Sequence, residues 1–172
     1  MADKMKLAIV DLSYCCGCDI ALADLGESLF SLLQEVFDLV YAPLLMSAKD
    51  YDQVDVALVT GAVRTEEDVA ELKKARERCK YLVAMGSCAA FGGLPGLANL
   101  CTHEEMMQAA YRTAPTVKDA QAKLPADDIP ALVDTIKPLD AYVQVDLALP
   151  GCPPPPPVFV DFVKQVLALV QG

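Results

Sequence analysis

Short apolar runs alternating with helical stretches constrain the fold of this chain more than any other feature. The runs have the length and β-branched content of buried strands, and the stretches between them show the wider apolar stripe of amphipathic helices. We predict strands at 6–12, 39–42, 54–60, 80–85 and 142–149. We predict helices at 20–36, from a cap at Thr65 to Arg78, from a capping box at Thr102, and at 158–170.

Strands that are separated by helices of this length form parallel βαβ units. We therefore expect a single α/β domain over residues 1–172, a flavodoxin-like, doubly wound parallel sheet. A Gly-rich loop is predicted at 86–98, and residues 99–140, with four prolines beyond position 113, are predicted to form an irregular insertion.

Composition excludes several classes of protein. The formal net charge is -10, whereas a nucleic-acid binder needs a basic face. Hydrophobic residues make up 54% of the chain, which is too many for a disordered protein. The longest uncharged stretch, 81–103, contains four glycines and a proline, so no membrane span is expected, and without a signal-peptide pattern the expected location is cytoplasmic. The excess of apolar residues predicts a large interface with a partner.

Cysteines are the second informative feature, because seven of them in a cytoplasmic chain indicate metal ligation or buried thiols rather than disulfides. Cys15 and Cys18 follow the first predicted strand, Cys88 follows the fourth, and Cys152 follows the last. Ligands of open α/β sheets bind at the carboxyl ends of the strands. We therefore expect these four cysteines to converge although they lie far apart in sequence.

Four converging thiolates can hold either a tetrahedral zinc ion or an iron–sulfur cluster. Cys88 and Cys152 are single ligands set among small or rigid residues, in GSCAA and GCPP, rather than in a second C-x-x-C pair. Glycines let backbone amides approach cluster sulfurs closely, which favours a [4Fe–4S] cluster and leaves zinc as the alternative. The loop after the first strand has no G-x-G-x-x-G pattern, so nucleotide binding is not expected.

The same segments resemble the small subunit of nickel–iron hydrogenases. The matching motifs are CCGC at 15–18, GSCA at 86–89 and GCPP at 151–154, with softer matches at GGLP, 92–95, and YRTAPT, 111–116. The resemblance implies that Cys15, Cys18, Cys88 and Cys152 bind one proximal [4Fe–4S] cluster and that this chain has no catalytic residue of its own. The nickel–iron centre would lie in a large subunit, and further iron–sulfur and flavin (diaphorase-type) subunits would pass electrons to NAD and also, in some assemblies, to ferredoxin.

Three other interpretations stay open. The adjacent pair Cys15-Cys16 is compatible with a small subunit related to respiratory complex I, although Gly17-Cys18 fits the hydrogenase form better. A structural-zinc scaffold and a thiol redox protein that uses Cys15 and Cys18 are the other two.

The remaining candidates have simpler explanations. Cys16 is expected to be a neighbour of the ligands, and Cys79 and Cys101 buried or half-buried thiols. His103 is expected at a helix start, and Asp19 on the surface of the first helix near its positive end.

Overall fold

A five-stranded, all-parallel sheet organises the protein. The computed structural model describes residues 4–119, 121 and 123–171. The strands are β1 (Met5–Asp11), β2 (Phe37–Tyr41), β3 (Val54–Thr60), β4 (Cys79–Met85) and β5 (Leu147–Leu149), in the order β2-β1-β3-β4-β5. This is the flavodoxin-like order, so the predicted fold class is confirmed.

Helices cover both faces of the sheet. They are α1 (Gly17–Ala23), α2 (Glu27–Glu35), α3 (Glu66–Arg78), α4 (Gly86–Phe91), α5 (His103–Gln108) and α6 (Pro156–Gln171). Two 3₁₀ segments, Pro95–Leu100 and Leu139–Ala141, and a π-helical segment, Ala109–Thr113, lie between them. No helix in the described part of the chain is long and apolar enough to cross a membrane.

Alternating side chains of the central strands build two separate cores, because successive residues of a strand point to opposite faces. Val56 and Leu58 of β3 belong to the core under α1, α2 and α6, with Phe159 of α6 fully buried against them. Ala57 and Val59 belong to the core under α3, which contributes Leu72. The sheet is therefore buried on both sides, as its continuous apolar strands predicted.

Two predicted elements differ from the structure near the first strand and the fourth. The helical spacing of apolar residues at 20–36 predicted one helix, but the chain forms α1 and α2, which are separated around Gly26 at φ 54°. The stretch 86–98 was predicted to be a loop, yet it contains α4 and the start of a 3₁₀ segment. Cys88 therefore lies on a helix, in its first turn.

The last strand is shorter than predicted, because residues 142–143 close the turn after the 3₁₀ segment and a side chain then bonds the neighbouring strand. The carboxylate of Asp146 accepts the backbone N–H of Leu82 at 2.7 Å and an N–H of Arg76 at 2.6 Å. The backbone N–H of Asp146 donates to the Leu82 carbonyl at 2.9 Å. Regular pairing with β4 therefore begins only at Leu147.

The segment predicted as an irregular insertion packs against the domain through a few anchors. Asn99 exchanges two hydrogen bonds with the backbone of Ile136, at 2.8 and 2.9 Å. The N–H of Val133 donates to the Arg64 carbonyl at 3.0 Å, and Leu139 is fully buried. Residues 120 and 122, which the prediction also included, lie outside the described residues.

Candidate metal centre

Three loops at the carboxyl edge of the sheet carry the four predicted ligands. Cys15 lies in the turn after β1, and Cys18 lies in the first turn of α1. Cys88 lies in α4, directly after β4, and Cys152 follows β5. Cys18 is buried, Cys88 is half-buried, and Cys15 and Cys152 are exposed.

The thiols of these four cysteines are close enough to influence one another. Burial is the largest cause that raises the pKa of Cys88, and the neighbouring thiols of Cys152 and Cys15 raise it further. Burial also raises the pKa of Cys18, with further contributions from Cys88 and Cys15, while the nearby hydroxyl of Thr60 opposes the shift. The fold thus brings together residues that are up to 137 positions apart in sequence, from Cys15 to Cys152.

Glycine makes room for one of these sulfurs. Gly86, at φ 85°, lies so close to Cys18 that a Cβ there would be 2.5 Å from its Sγ. The N–H of Ser87 donates to the carbonyl of Gly151 at 2.7 Å, which joins the loop before Cys88 to the loop before Cys152. The spacing of these ligands is therefore fixed by backbone contacts between separate strand ends.

A cavity of about 470 Å³ opens between the ligand loops. It is lined by Ser13, Tyr14, Cys15, Arg64, Cys88, Leu94, Pro95, Ala98 and Cys152. Among the described residues, no group of three or more His, Cys, Asp or Glu side chains is arranged to hold one metal ion. Soft thiolate donors around a space of this size, next to a glycine that leaves room for a sulfur, fit a polynuclear iron–sulfur group.

The other cysteines have different surroundings. Cys16 separates two predicted ligands and adopts a left-handed conformation, φ 64°, at the start of α1. Cys79 is buried at the opposite, amino-terminal end of β4. Cys101 is exposed, so the prediction of a buried or half-buried thiol was wrong there. His103 occupies the first position of α5, after the Thr102 cap, as expected.

A pair of acids lies beside the centre, and the sequence interpretation of one of them was wrong. Both carboxylate oxygens of Asp19 are buried, so this residue is not a solvated side chain on the helix surface. Burial, and next the charge of Asp19, raises the pKa of Asp11 to about 6, while the hydroxyl of Tyr14 opposes the shift. Burial likewise raises the pKa of Asp19.

Two residues near the centre were missed by the sequence interpretation. Arg64 lines the cavity, and its backbone N–H is held by the Asp68 carboxylate at 2.9 Å. Thr60 is fully buried at the end of β3. A polar residue after four consecutive apolar residues of the strand was the available signal for Thr60, since such a side chain must point to something at the carboxyl edge.

Comparisons with known proteins place this fold in the class of hydrogenase small subunits. A crystal structure of an NAD⁺-reducing [NiFe]-hydrogenase in the H₂-reduced state has a chain that superposes with a TM-score of 0.88 at 31% identity, covering 96% of this chain and 92% of that one. The chain belongs to the family of the 20 kDa subunit of NADH ubiquinone oxidoreductase, whose model matches residues 15–166.

Relatives in this family carry hydrogenase names. The delta subunit of the NAD-reducing hydrogenase HoxS of Cupriavidus necator is 33% identical over 88% of this chain and 73% of its own length. A subunit of the F420-non-reducing hydrogenase vhu of Methanococcus voltae is 37% identical over the whole chain. This chain spans 58% of the length of that relative. The [NiFeSe] hydrogenase of Desulfovibrio vulgaris Hildenborough, at 16% identity and a TM-score of 0.67, shares the fold.

Proposed function

We propose that this chain is the electron-transfer small subunit of a nickel–iron hydrogenase and that it holds one [4Fe–4S] cluster through Cys15, Cys18, Cys88 and Cys152. The observation that carries the proposal is the proximity of these four thiols at one edge of the sheet, where Cys15, Cys88 and Cys152 line one cavity and Cys18 lies close to Cys88 and Cys15. When bound, the cluster supplies a carrier that accepts and donates one electron at a time.

The residues of this chain hold and insulate that carrier. Cys18 is buried, and the apolar side chains of Leu94 and Pro95 line the cavity beside the other three cysteines. Arg64 adds a positive charge to the cavity lining, which partly offsets the negative charge of four thiolates. Chemistry at hydrogen belongs to a partner, and this chain supplies no catalytic residue.

The partners that we propose are a hydrogenase large subunit and iron–sulfur or flavin subunits of the diaphorase type, in a cytoplasmic complex. NAD is the favoured final acceptor because a relative named as a subunit of an NAD-reducing hydrogenase matches over 73% of its length. The solved structure with the TM-score of 0.88 comes from an enzyme of the same description. Ferredoxin is the second acceptor to test.

Anaerobic purification followed by iron, sulfide and zinc analysis tests the cluster. We expect about four iron atoms and four sulfides per chain, as a [4Fe–4S] cluster contains. Cys88→Ser and Cys152→Ser should each lose most of this iron, whereas Cys101→Ser, at an exposed thiol elsewhere, should keep it. Full iron content in the ligand variants would contradict the ligand assignment. About one zinc without iron would instead support a structural-zinc scaffold.

A second candidate function is favoured by the family description, which names a subunit of NADH ubiquinone oxidoreductase. In this alternative the chain serves a complex-I-like quinone oxidoreductase, and Cys15 and Cys16 both act as ligands. Copurifying subunits distinguish the two. A large subunit with two C-x-x-C pairs and hydrogen-dependent NAD reduction supports the hydrogenase. Loss of iron in Cys16→Ala together with retention in Cys18→Ala supports the alternative.

A further inference from the structure

Thr60, at the carboxyl end of β3, is a buried polar residue for which the fold gives no other use. Its side chain is fully buried, and its Oγ1 has no hydrogen-bond partner that meets ordinary geometry among the described residues. Its backbone is already engaged, since the carbonyl accepts the N–H of Leu12 at 2.9 Å. A buried hydroxyl without a partner costs free energy, so this one calls for an acceptor that is present in the working protein.

The position of Thr60 directs the hydroxyl toward Cys18. Alternate residues of a strand share one face of the sheet, so Thr60 lies on the same face as Val56 and Leu58, which α1 covers. In the sheet Thr60 pairs with Met85, and the next residue, Gly86, lies against the Sγ of Cys18. The ends of β3 and β4 thus enclose this sulfur from two sides.

Chemistry explains why the hydroxyl lacks a good partner when Cys18 is a neutral thiol. A thiol sulfur is a weak acceptor, whereas a thiolate accepts charge-assisted hydrogen bonds. The Thr60 side chain lies close enough to the Cys18 thiol to interact with it. Metal binding requires the thiolate, so the unpartnered donor would find its acceptor when Cys18 becomes a ligand.

We propose that Thr60 is a positioning residue whose hydroxyl donates an O–H···S hydrogen bond to the ligating sulfur of Cys18 and raises the reduction potential of the cluster. This inference rests on the proposed function. Reduction places additional negative charge on the ligand sulfurs, and a donor at Sγ therefore stabilises the reduced form more than the oxidised form. The hydrogen bond also holds the Cys18 side chain in one orientation.

The test compares Thr60→Val, which keeps the shape and removes the hydroxyl, with Thr60→Ser, which keeps the hydroxyl and removes a methyl group. Each anaerobically purified holoprotein is titrated with reductant, and the reduced cluster is followed by electron paramagnetic resonance. We expect Thr60→Val to disfavour reduction by about tenfold, which is about 59 mV toward negative potential for one electron. Thr60→Ser should stay close to the wild-type potential, and the iron content should be similar in all three proteins.

A purely structural role for Thr60 predicts a different pattern. The potential of Thr60→Val would then equal that of the wild type, or Thr60→Ser would shift as far as Thr60→Val, and either result overturns the inference. If Thr60→Val does not retain iron, the potential of Thr60→Ala is measured instead, because this variant also lacks the hydroxyl. An unchanged potential in Thr60→Ala would overturn the inference in the same way. Wild-type protein without iron would contradict the proposed function instead.

Discussion

Gly86 lies so close to the Cys18 sulfur that its side chain can be no larger than a hydrogen atom. Gly86→Ala would place a methyl group 2.5 Å from the Cys18 Sγ and would also strain a residue at φ 85°. We expect this variant to lose most of its iron and to be less stable by about 1–3 kcal/mol. Gly96→Ala is the matched control, because a Cβ at Gly96 meets nothing within 4 Å and its φ is ordinary. Iron analysis and thermal unfolding measure both effects, and equal iron in the two variants would contradict the packing argument.

The buried carboxyl of Asp11 gives the protein a pH-dependent stability. Its pKa is raised from 3.8 to about 6, mainly by burial. Between about pH 4 and pH 6 the folded state therefore binds more protons than the unfolded state, and the free energy of unfolding falls as the pH rises through this window. Below it, Asp11 is protonated in both states and has no such effect.

Asp11→Asn should therefore be more stable than the wild type above pH 6. We expect about 1 kcal/mol at pH 7.5, a value reduced for the partial exposure of the group, and a difference that shrinks toward pH 5. Thermal unfolding over this range measures it, with Asp38→Asn, at an exposed position of β2, as the control. A difference that does not change with pH would show that the carboxyl does not titrate in this window.

At the scale of elements, the helix and strand bounds that the sequence predicted correctly are those that nearby residues determine. The strand Val54–Thr60 has the predicted bounds, because its apolar and β-branched residues are bounded by Gly61. Both predicted helix starts, after Thr65 and Thr102, show complete capping boxes. Such features depend on residues within a few positions of one another.

Errors arose where a distant contact overrides the local pattern. The run 142–149 has strand character, but the Asp146 carboxylate occupies the N–H of Leu82 and delays pairing until Leu147. The four predicted ligands could be grouped because parallel strands share one carboxyl edge. The roles of Thr60 and Arg64, the neighbours of those ligands, could not be predicted, because they depend on which face of the sheet and which loop each side chain meets.

Asp68 joins helix α3 to the loop that leads to the ligands. One of its oxygens, Oδ2, accepts the Ser13 hydroxyl at 2.8 Å and the N–H groups of Arg64 and Thr65 at 2.9 Å each. Asp68→Ala would leave three donors without this acceptor, and we expect the free energy of unfolding to fall by about 1–3 kcal/mol. Glu105→Ala is the control, because Glu105 has the same capping role in α5 but is exposed. Denaturant unfolding should show the larger loss for Asp68→Ala, and equal losses would contradict the link to the loop.

At the scale of the whole molecule, the excess of apolar residues reaches the surface next to the centre. Ile20, in the first helix, is exposed. A second region, which we call the apolar stripe, follows Cys88 and consists of Phe91, Leu94, Leu97 and Leu100, with exposed fractions of 69, 65, 58 and 81%. Leu94 also lines the cavity between the cysteines. The stripe therefore borders the side from which a cluster would exchange electrons.

A partner that covers this side would bury the stripe and exclude water from the cluster, as the proposed large subunit requires. Burying a large apolar side chain stabilises by about 1.5–3 kcal/mol, so the double variant Phe91→Ser, Leu100→Ser should bind the partner at least about tenfold more weakly. Copurification and titration with the large subunit measure this. The control is Ile129→Ser with Val160→Ser, at positions exposed to 51 and 53% in other parts of the surface. If the control weakens binding as much as the stripe variant, or if neither does, the large subunit does not bind over the stripe, and electrons would have to reach the cluster from another side.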